Sequence, residues 1–141
     1  MTIAAILKDK GRDLFSVTPE TPVGQVIAVL AERRIGAVPV IAGDGVQGIF
    51  SERDVIRLLA HGAVALDAPV GGAMTAPAVT VSPHESVIGA LALMTRRRIR
   101  HLPVVEDGRV IGLVSIGDLV KYRIDRIEAD AAAMRDYIQQ A

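Results

Sequence analysis

Apolar residues recur at helical spacing along two stretches of the chain. Val23, Ile27 and Leu30 mark one face of a helix over 22–34, and Val87, Leu91 and Met94 mark the same face over 86–98. A short lead-in precedes each, ending at Val17-Thr18-Pro19 or Val81-Ser82-Pro83, and reads as a strand. Two apolar runs follow each helix, over 37–41 and 46–50 in the first stretch and over 101–105 and 109–114 in the second. Between the runs lie Gly43-Asp44-Gly45 and Glu106-Asp107-Gly108, rich in residues that tolerate positive φ, so each pair of runs reads as a hairpin. Ser51 and Ser115 then stand where a hydroxyl accepts from the free amides of a first helical turn, predicting helices from 52 to 60 and from 116 onward.

The two stretches are one pattern written twice. Shifted by 64 residues, the sequence falls on itself without gaps: Arg33-Arg34-Ile35 meets Arg97-Arg98-Ile99, and Val38-Pro39-Val40 meets Leu102-Pro103-Val104. Val46, Gly48, Ser51 and Asp54 likewise meet Val110, Gly112, Ser115 and Asp118. The organisation follows: an N-terminal helix and lead-in over 1–14, a first β-α-β-β-α repeat over 15–61, a linker rich in Gly, Ala and Pro over 62–78, a second repeat over 79–122, and an extension over 123–141. The class is α/β (α+β). A unit of this size cannot bury both faces of its small sheet, so the two copies are expected to pack sheet to sheet as one pseudo-twofold domain.

Composition narrows what such a domain can do. Half of the 141 residues are hydrophobic but aromatics make up 3%, so the core must be built from Val, Ile, Leu and Ala. Lys plus Arg equals Asp plus Glu, which argues against a nucleic-acid partner despite the run Arg96-Arg97-Arg98-Ile99-Arg100-His101. Without cysteine there are no disulfides, thiolate zinc sites or cysteine nucleophiles. His61, His84 and His101 lack metal-ligand spacing, Ser82, His84 and Glu85 are too close in sequence for a triad, and Gly71-Gly72 has no Lys-Ser/Thr after it. No apolar run approaches a membrane span and no secretory signal opens the chain, so it reads as a soluble cytoplasmic protein.

The C-terminal extension has a pattern of its own. Val120, Ile124, Ile127, Ala131, Met134 and Ile138 are spaced 4, 3, 4, 3 and 4, a heptad-like seam bordered by charges. It either packs on its own domain, against Ile3, Ile6 and Leu7, or joins two copies.

The order strand, Ser/Thr-Pro, helix, Pro-Val, hairpin, Gly-x-x-Ser-x-x-Asp resembles the CBS repeat, named for cystathionine β-synthase. Gly48-Ile49-Phe50-Ser51-Glu52-Arg53-Asp54, Met74-Thr75 and Arg100-His101-Leu102-Pro103-Val104-Val105 are similar to segments of short stand-alone bacterial CBS-pair proteins. The resemblance spans about 3–125 and implies a regulatory module, not an enzyme, with no catalytic cofactor. It further implies two clefts for adenosine-containing ligands, an adenine nucleotide such as AMP, ATP or NAD above all, or S-adenosylmethionine. A flat homodimer and a signal to an effector protein of unknown identity belong to the same expectation. The competing class is a ligand-free interaction module that only dimerises.

Residue by residue, the resemblance assigns Asp54 and Asp118 to the ribose diol, the alternative being acids that suit a helix N-terminus. Ser51 and Ser115 cap, with or without touching ligand. Phosphate falls to Arg53, Arg100 and His101, in a cross-repeat arrangement: Asp54 with Arg100 and His101, Asp118 with Arg53. An imidazole in that role adds charge only when protonated. The adenine slot is expected at strand ends within 15–18 and 79–82 and beside them, with Thr18, Ala37, Val38, Thr80, Val81 and Leu102 as candidates.

Overall fold

The structure is a computed structural model that describes residues 1–11, 13–43, 45–62 and 65–140. Its elements in order are α1 (Ile3–Lys10), α2 (Val23–Arg33), β1 (Ala37–Ala42), β2 (Gly45–Ser51), α3 (Glu52–Ala60), α4 (Val87–Arg97), β3 (His101–Glu106), β4 (Arg109–Ser115) and α5 (Ile116–Gln140). A short 3₁₀ turn, Val70–Gly72, lies in the linker.

Each repeat holds one antiparallel hairpin, β1 with β2 and β3 with β4, and each register slips at the same place, Val40/Ile41 and Val104/Val105. The second hairpin turns through Asp107 and Gly108, both at positive φ, which matches the right-handed twist of the strands. Glu106, placed in that turn by the sequence reading, is the last residue of β3. In the first hairpin Gly43 has φ 64° and Gly45 opens β2; Asp44 of the predicted turn, and 63–64 of the linker, lie outside the described residues.

The predicted lead-in strands shrink to single bridges, Val17 beside Val40 and Val81 beside Val104, both parallel. Val17 is held by Val17 N–H to the Pro39 carbonyl and by Ile41 N–H to the Val17 carbonyl (3.1 and 2.8 Å). Two residues on stand Pro19 and Pro83, which have no N–H to continue a ladder.

Matched apolar positions form two cores. Val17, Val23, Leu30, Val38, Val40 and Phe50 are buried in one, and Val81, Val87, Met94, Leu102, Val104 and Val114 in the other. The second copy has Val114 where the first has Phe50, and α1 packs into that core through Ile3, Ile6 and Leu7. The linker does the same for the first core through Val70. Backbone bonds repeat the equivalence: Val23 N–H donates to Ala68 and Val70 N–H to Thr21, while Val87 N–H donates to Met1 and Ile3 N–H to Glu85. The N-terminal helix therefore completes the second repeat and the linker completes the first. β2 and β4 meet where the two hairpins pack.

The predicted extension continues α5 without a break, a helix of 25 residues. Ile3, Ile6 and Leu7 share a core with Leu119 and Tyr122 at the start of α5, whereas Val120, Ile124, Ile127, Met134 and Ile138 of the seam stay exposed. No described helix is long and apolar enough to cross a membrane.

Candidate functional site

Both repeats end their hairpin in the same local device. In the second, Asp118 N–H donates to Ser115 Oγ (3.1 Å) and Ser115 N–H donates to the Asp118 carboxylate (2.9 Å), the reciprocal bonds of a capping box. In the first, Ser51 N–H and Ser51 Oγ both donate to Asp54 Oδ2 (2.9 and 3.2 Å). The helix start is tied to the residue before the opposite hairpin strand, Glu52 N–H to the Gly36 carbonyl and Ile116 N–H to that of Arg100. Each carboxylate is thereby fixed at the mouth of a cleft.

The two clefts are related by the repeat. One, of about 480 Å³, brings Ser51 and Asp54 against Pro77, Ala78, Val79 and Ile99. The other, of about 840 Å³, brings Ser115 and Asp118 against Asp13, Leu14, Phe15 and Ile35. Pro77, Ala78 and Val79 are Asp13, Leu14 and Phe15 shifted by 64, so each cleft joins the Ser-x-x-Asp of one repeat to the lead-in of the other. Both volumes fall in the range of small-molecule sites.

The carboxylates are already engaged. Asp54, 2% exposed, accepts from Thr75 Oγ1 (2.7 Å) and from the Arg57 guanidinium (3.1 Å). Asp118 accepts from Lys10 Nζ (2.7 Å), which also donates to the Leu113 carbonyl (2.8 Å). Burial works against charge on Asp118, but the hydrogen bonds from Lys10 and Ser115 outweigh it and hold its pKa below the ordinary carboxylate value.

His101 lines both clefts. A Cβ on Gly36 would lie 3.0 Å from its Cε1 and 3.2 Å from Glu52 Oε1, so the bare backbone at Gly36 makes room for these two side chains. Burial lowers the imidazole pKa below 6.5; Glu52 and Asp118 pull it up, Lys10 and Arg100 push it down, and the balance is downward. Burial thus favours the neutral imidazole in the free chain, and a charge from His101 at a phosphate requires its protonation.

Of the sequence-assigned phosphate residues, Arg53, Arg100 and His101 all line the Asp54 cleft. The pairing of Arg53 with Asp118 is corrected: Arg53 shares a helical turn with Asp54 and donates to the Arg98 carbonyl. Among the adenine candidates, Ala37 lines the Asp118 cleft. Val38, Val81 and Leu102 are core, and Thr18 and Thr80 are exposed residues outside both linings. The apolar walls are Ile49, Val79 and Ile99 in one cleft and Phe15, Ile35 and Leu113 in the other. Phe15 and Val79 fell within the expected ranges. Ile35 and Ile99 sit in the repeated Arg-Arg-Ile, whose recurrence was a usable signal. Thr75 was marked only as part of Met74-Thr75, a segment the resemblance picked out without a role, and Lys10 lies outside the matched positions and had no signal. Among the described residues no three His, Asp or Glu side chains converge as metal ligands.

Paired clefts on a doubled β-α-β-β-α unit define the class of fold, a tandem repeat with two matched sites, and comparison identifies the family. The CBS-domain model matches residues 8–61 and 70–125, and the chain belongs to the CBS-domain family as a tandem pair. It is 34% identical to the Arabidopsis thaliana mitochondrial CBS domain-containing protein CBSX3, over 98% of this chain and 72% of that one. A Burkholderia ambifaria structure described as a putative signal-transduction protein with CBS domains is 43% identical, with a TM-score of 0.83 over 89% of this chain and 95% of its own. The Pyrobaculum aerophilum CBS protein PAE2072, solved in complex with AMP, is 27% identical, with a TM-score of 0.75 over 84% and 89% of the two chains.

Proposed function

We propose that this CBS pair is a non-catalytic sensor that binds an adenine nucleotide or related adenosyl ligand in its clefts. The observation that carries the reading is the matched placement of Asp54 and Asp118, each fixed by its own serine and facing the apolar lead-in of the other repeat. A carboxylate so held accepts two hydrogen bonds from a ribose diol, while Val79 and Ile99, or Phe15 and Ile35, offer apolar walls to a base. The AMP complex of PAE2072 supports the ligand class. Both oxygens of Asp54 already accept, Oδ1 from Thr75 and Arg57 and Oδ2 from Ser51, so a ribose there competes with Thr75 and occupancy pulls on the linker; on Asp118 the ribose joins Lys10 and Ser115, which both hold Oδ2. That differential contact is what a ligand needs to shift a conformational balance and signal to an effector.

We further propose that the sensor works as a homodimer. The seam of α5 is exposed, with Ile127 52% and Met134 59% accessible, Ile56 and Leu59 on α3 are exposed as well, and charges of both signs border the seam. A second copy offers the same seam in return.

Titration calorimetry of the chain with adenosine, AMP, ATP, NAD and S-adenosylmethionine tests the reading. At least one is expected to bind. Silence across the panel, with an intact dimer, would leave the interaction module in its place.

A further inference from the structure

The two clefts are alike in their carboxylates and unlike in their charge. Arg53, Arg57, Arg97, Arg98 and Arg100 line the Asp54 cleft. Against these five guanidiniums stand the carboxylates of Glu52 and Asp54, which leaves three positive charges in excess. Among the described residues, Lys10, Arg33 and Arg34 line the Asp118 cleft against Asp13 and Asp118, an excess of one. Neutral His101 is common to both.

The engagement of these cations widens the difference. In the Asp118 cleft Lys10 is paired with the aspartate, and Arg33 lies over the Phe15 ring, 4.3 Å from its centroid. In the Asp54 cleft Arg57 pairs with Asp54, and Arg53 donates to a carbonyl and, among the described residues, enters no ion pair. Among the described residues Arg97, Arg98 and Arg100 enter no ion pair. Guanidiniums crowded into one concavity repel one another, and an anion there relieves the repulsion.

A second observation concerns the backbone. Arg98 ends α4 with φ 55°, a left-handed cap where glycine or asparagine is the usual residue. Arg34 ends α2 in the same way, φ 54°. A side chain bearing a β-carbon is strained in that conformation, and in both repeats the strained residue is an arginine on the rim of a cleft.

We propose that the Asp54 cleft is the polyphosphate site of the pair, that the Asp118 cleft takes an adenosine ligand of lower charge, and that Arg98 sets the charge preference of the first. This rests on the adenosine-ligand reading above and deepens it.

The test is calorimetry with adenosine, AMP and ATP on the full chain carrying Asp118→Ala, which leaves the Asp54 cleft, with and without Arg98→Gly. In the Asp54 cleft ATP should bind at least about tenfold tighter than AMP, the scale of one added charge-assisted hydrogen bond. Arg98→Gly should lose about that factor for ATP and nothing for adenosine. Its Tm should not fall, because glycine accepts φ 55° freely. The double change Arg97→Gln with Arg100→Gln, both at exposed positions, should weaken ATP likewise. Arg34→Gly should leave ATP binding at this cleft unchanged.

Equal affinities for adenosine, AMP and ATP, or an unaltered ATP affinity in Arg98→Gly, would overturn the charge assignment and leave the adenosine reading standing. A lost ATP affinity accompanied by a lowered Tm would make Arg98 a structural cap and overturn its assigned role. Failure of all three ligands to bind would remove both.

Discussion

Thr75 and Lys10 do the same work in the two repeats by different chemistry. Thr75 pairs its backbone with Ile49, N–H and carbonyl each at 2.9 Å, and turns its hydroxyl onto Asp54. Lys10 reaches the matched strand residue, Leu113, and the matched acid, Asp118, with one ammonium group. The first cover is a backbone bridge over a carboxylate that is 2% exposed. The second is a long side chain over a carboxylate that is 27% exposed. Identical motifs thus acquire different surroundings from the segment that closes each repeat, the linker in one case and α1 in the other.

The largest expected contrast lies in the glycines beneath these covers. A Cβ on Gly48 would stand 2.6 Å from the Thr75 carbonyl oxygen, a backbone atom that cannot step aside. On Gly112 it would meet the end of the Leu7 side chain at 2.7 Å, which can turn away. Gly48→Ala should therefore cost about 1–3 kcal/mol in urea unfolding, and Gly112→Ala less than Gly48→Ala. Equal losses would mean that the two covers are equally rigid.

Removing the carboxylates sharpens the same comparison. Asp54→Ala strips an acceptor from Ser51 N–H, Thr75 and Arg57, and should lower stability by about 1–2 kcal/mol, the scale of a lost helix cap. Asp118→Ala removes bonds to Ser115 and Lys10 at a more open position and should cost less. A larger loss for Asp118→Ala would contradict the picture of a loosely covered second cleft.

His101 probes the ground between the clefts. Its pKa in the folded chain is below 6.5, so on acidification the unfolded chain takes up a proton first. Stability should fall as pH drops through about 6.5 toward the folded value, and His101→Gln should remove that part of the slope. Asp118, whose pKa is also lowered, contributes stability above its ordinary value of 3.8 and loses it only as pH falls through a still lower folded pKa, outside this window. Urea midpoints at pH 7.5 and 5.5 read the difference. Parallel slopes for the two chains would mean that His101 is not held neutral by burial.

The smallest effect belongs to Lys10. Its side chain is 40% exposed, and solvent screens the pair with Asp118, so Lys10→Gln should change stability by less than about 1 kcal/mol. A greater loss would show that the second cover is as firm as the first.

Much of this was legible before any coordinates. Apolar spacing and the 64-residue register located α2 and α4 to within a residue of their ends and both hairpins nearly so. Ser51 and Ser115, with an acid three residues on, announced the capping geometry that fixes both carboxylates. The walls of the clefts were less legible, because apolar periodicity says that Val38, Val81 and Leu102 face inward without separating a core from a cleft. Beyond their capping serines, the contacts of the aspartates were not legible as contacts, although Met74-Thr75 stood out as a segment. Lys10 and Thr75 come from segments outside the matched positions, and only the packing of α1 and the linker brings them there.

The central claim is that Asp54 and Asp118 each hold the ribose of a separate adenine nucleotide. Calorimetry with AMP on the wild-type chain, on Asp54→Ala, on Asp118→Ala and on the double variant tests it most directly. The wild type should bind at two sites, and each single variant should lose one of them by about 1.5–3 kcal/mol, a factor of roughly ten to a hundred. The double variant should be weakened at both sites by about the same factor. A double variant that binds AMP at two sites as tightly as the wild type would contradict the account.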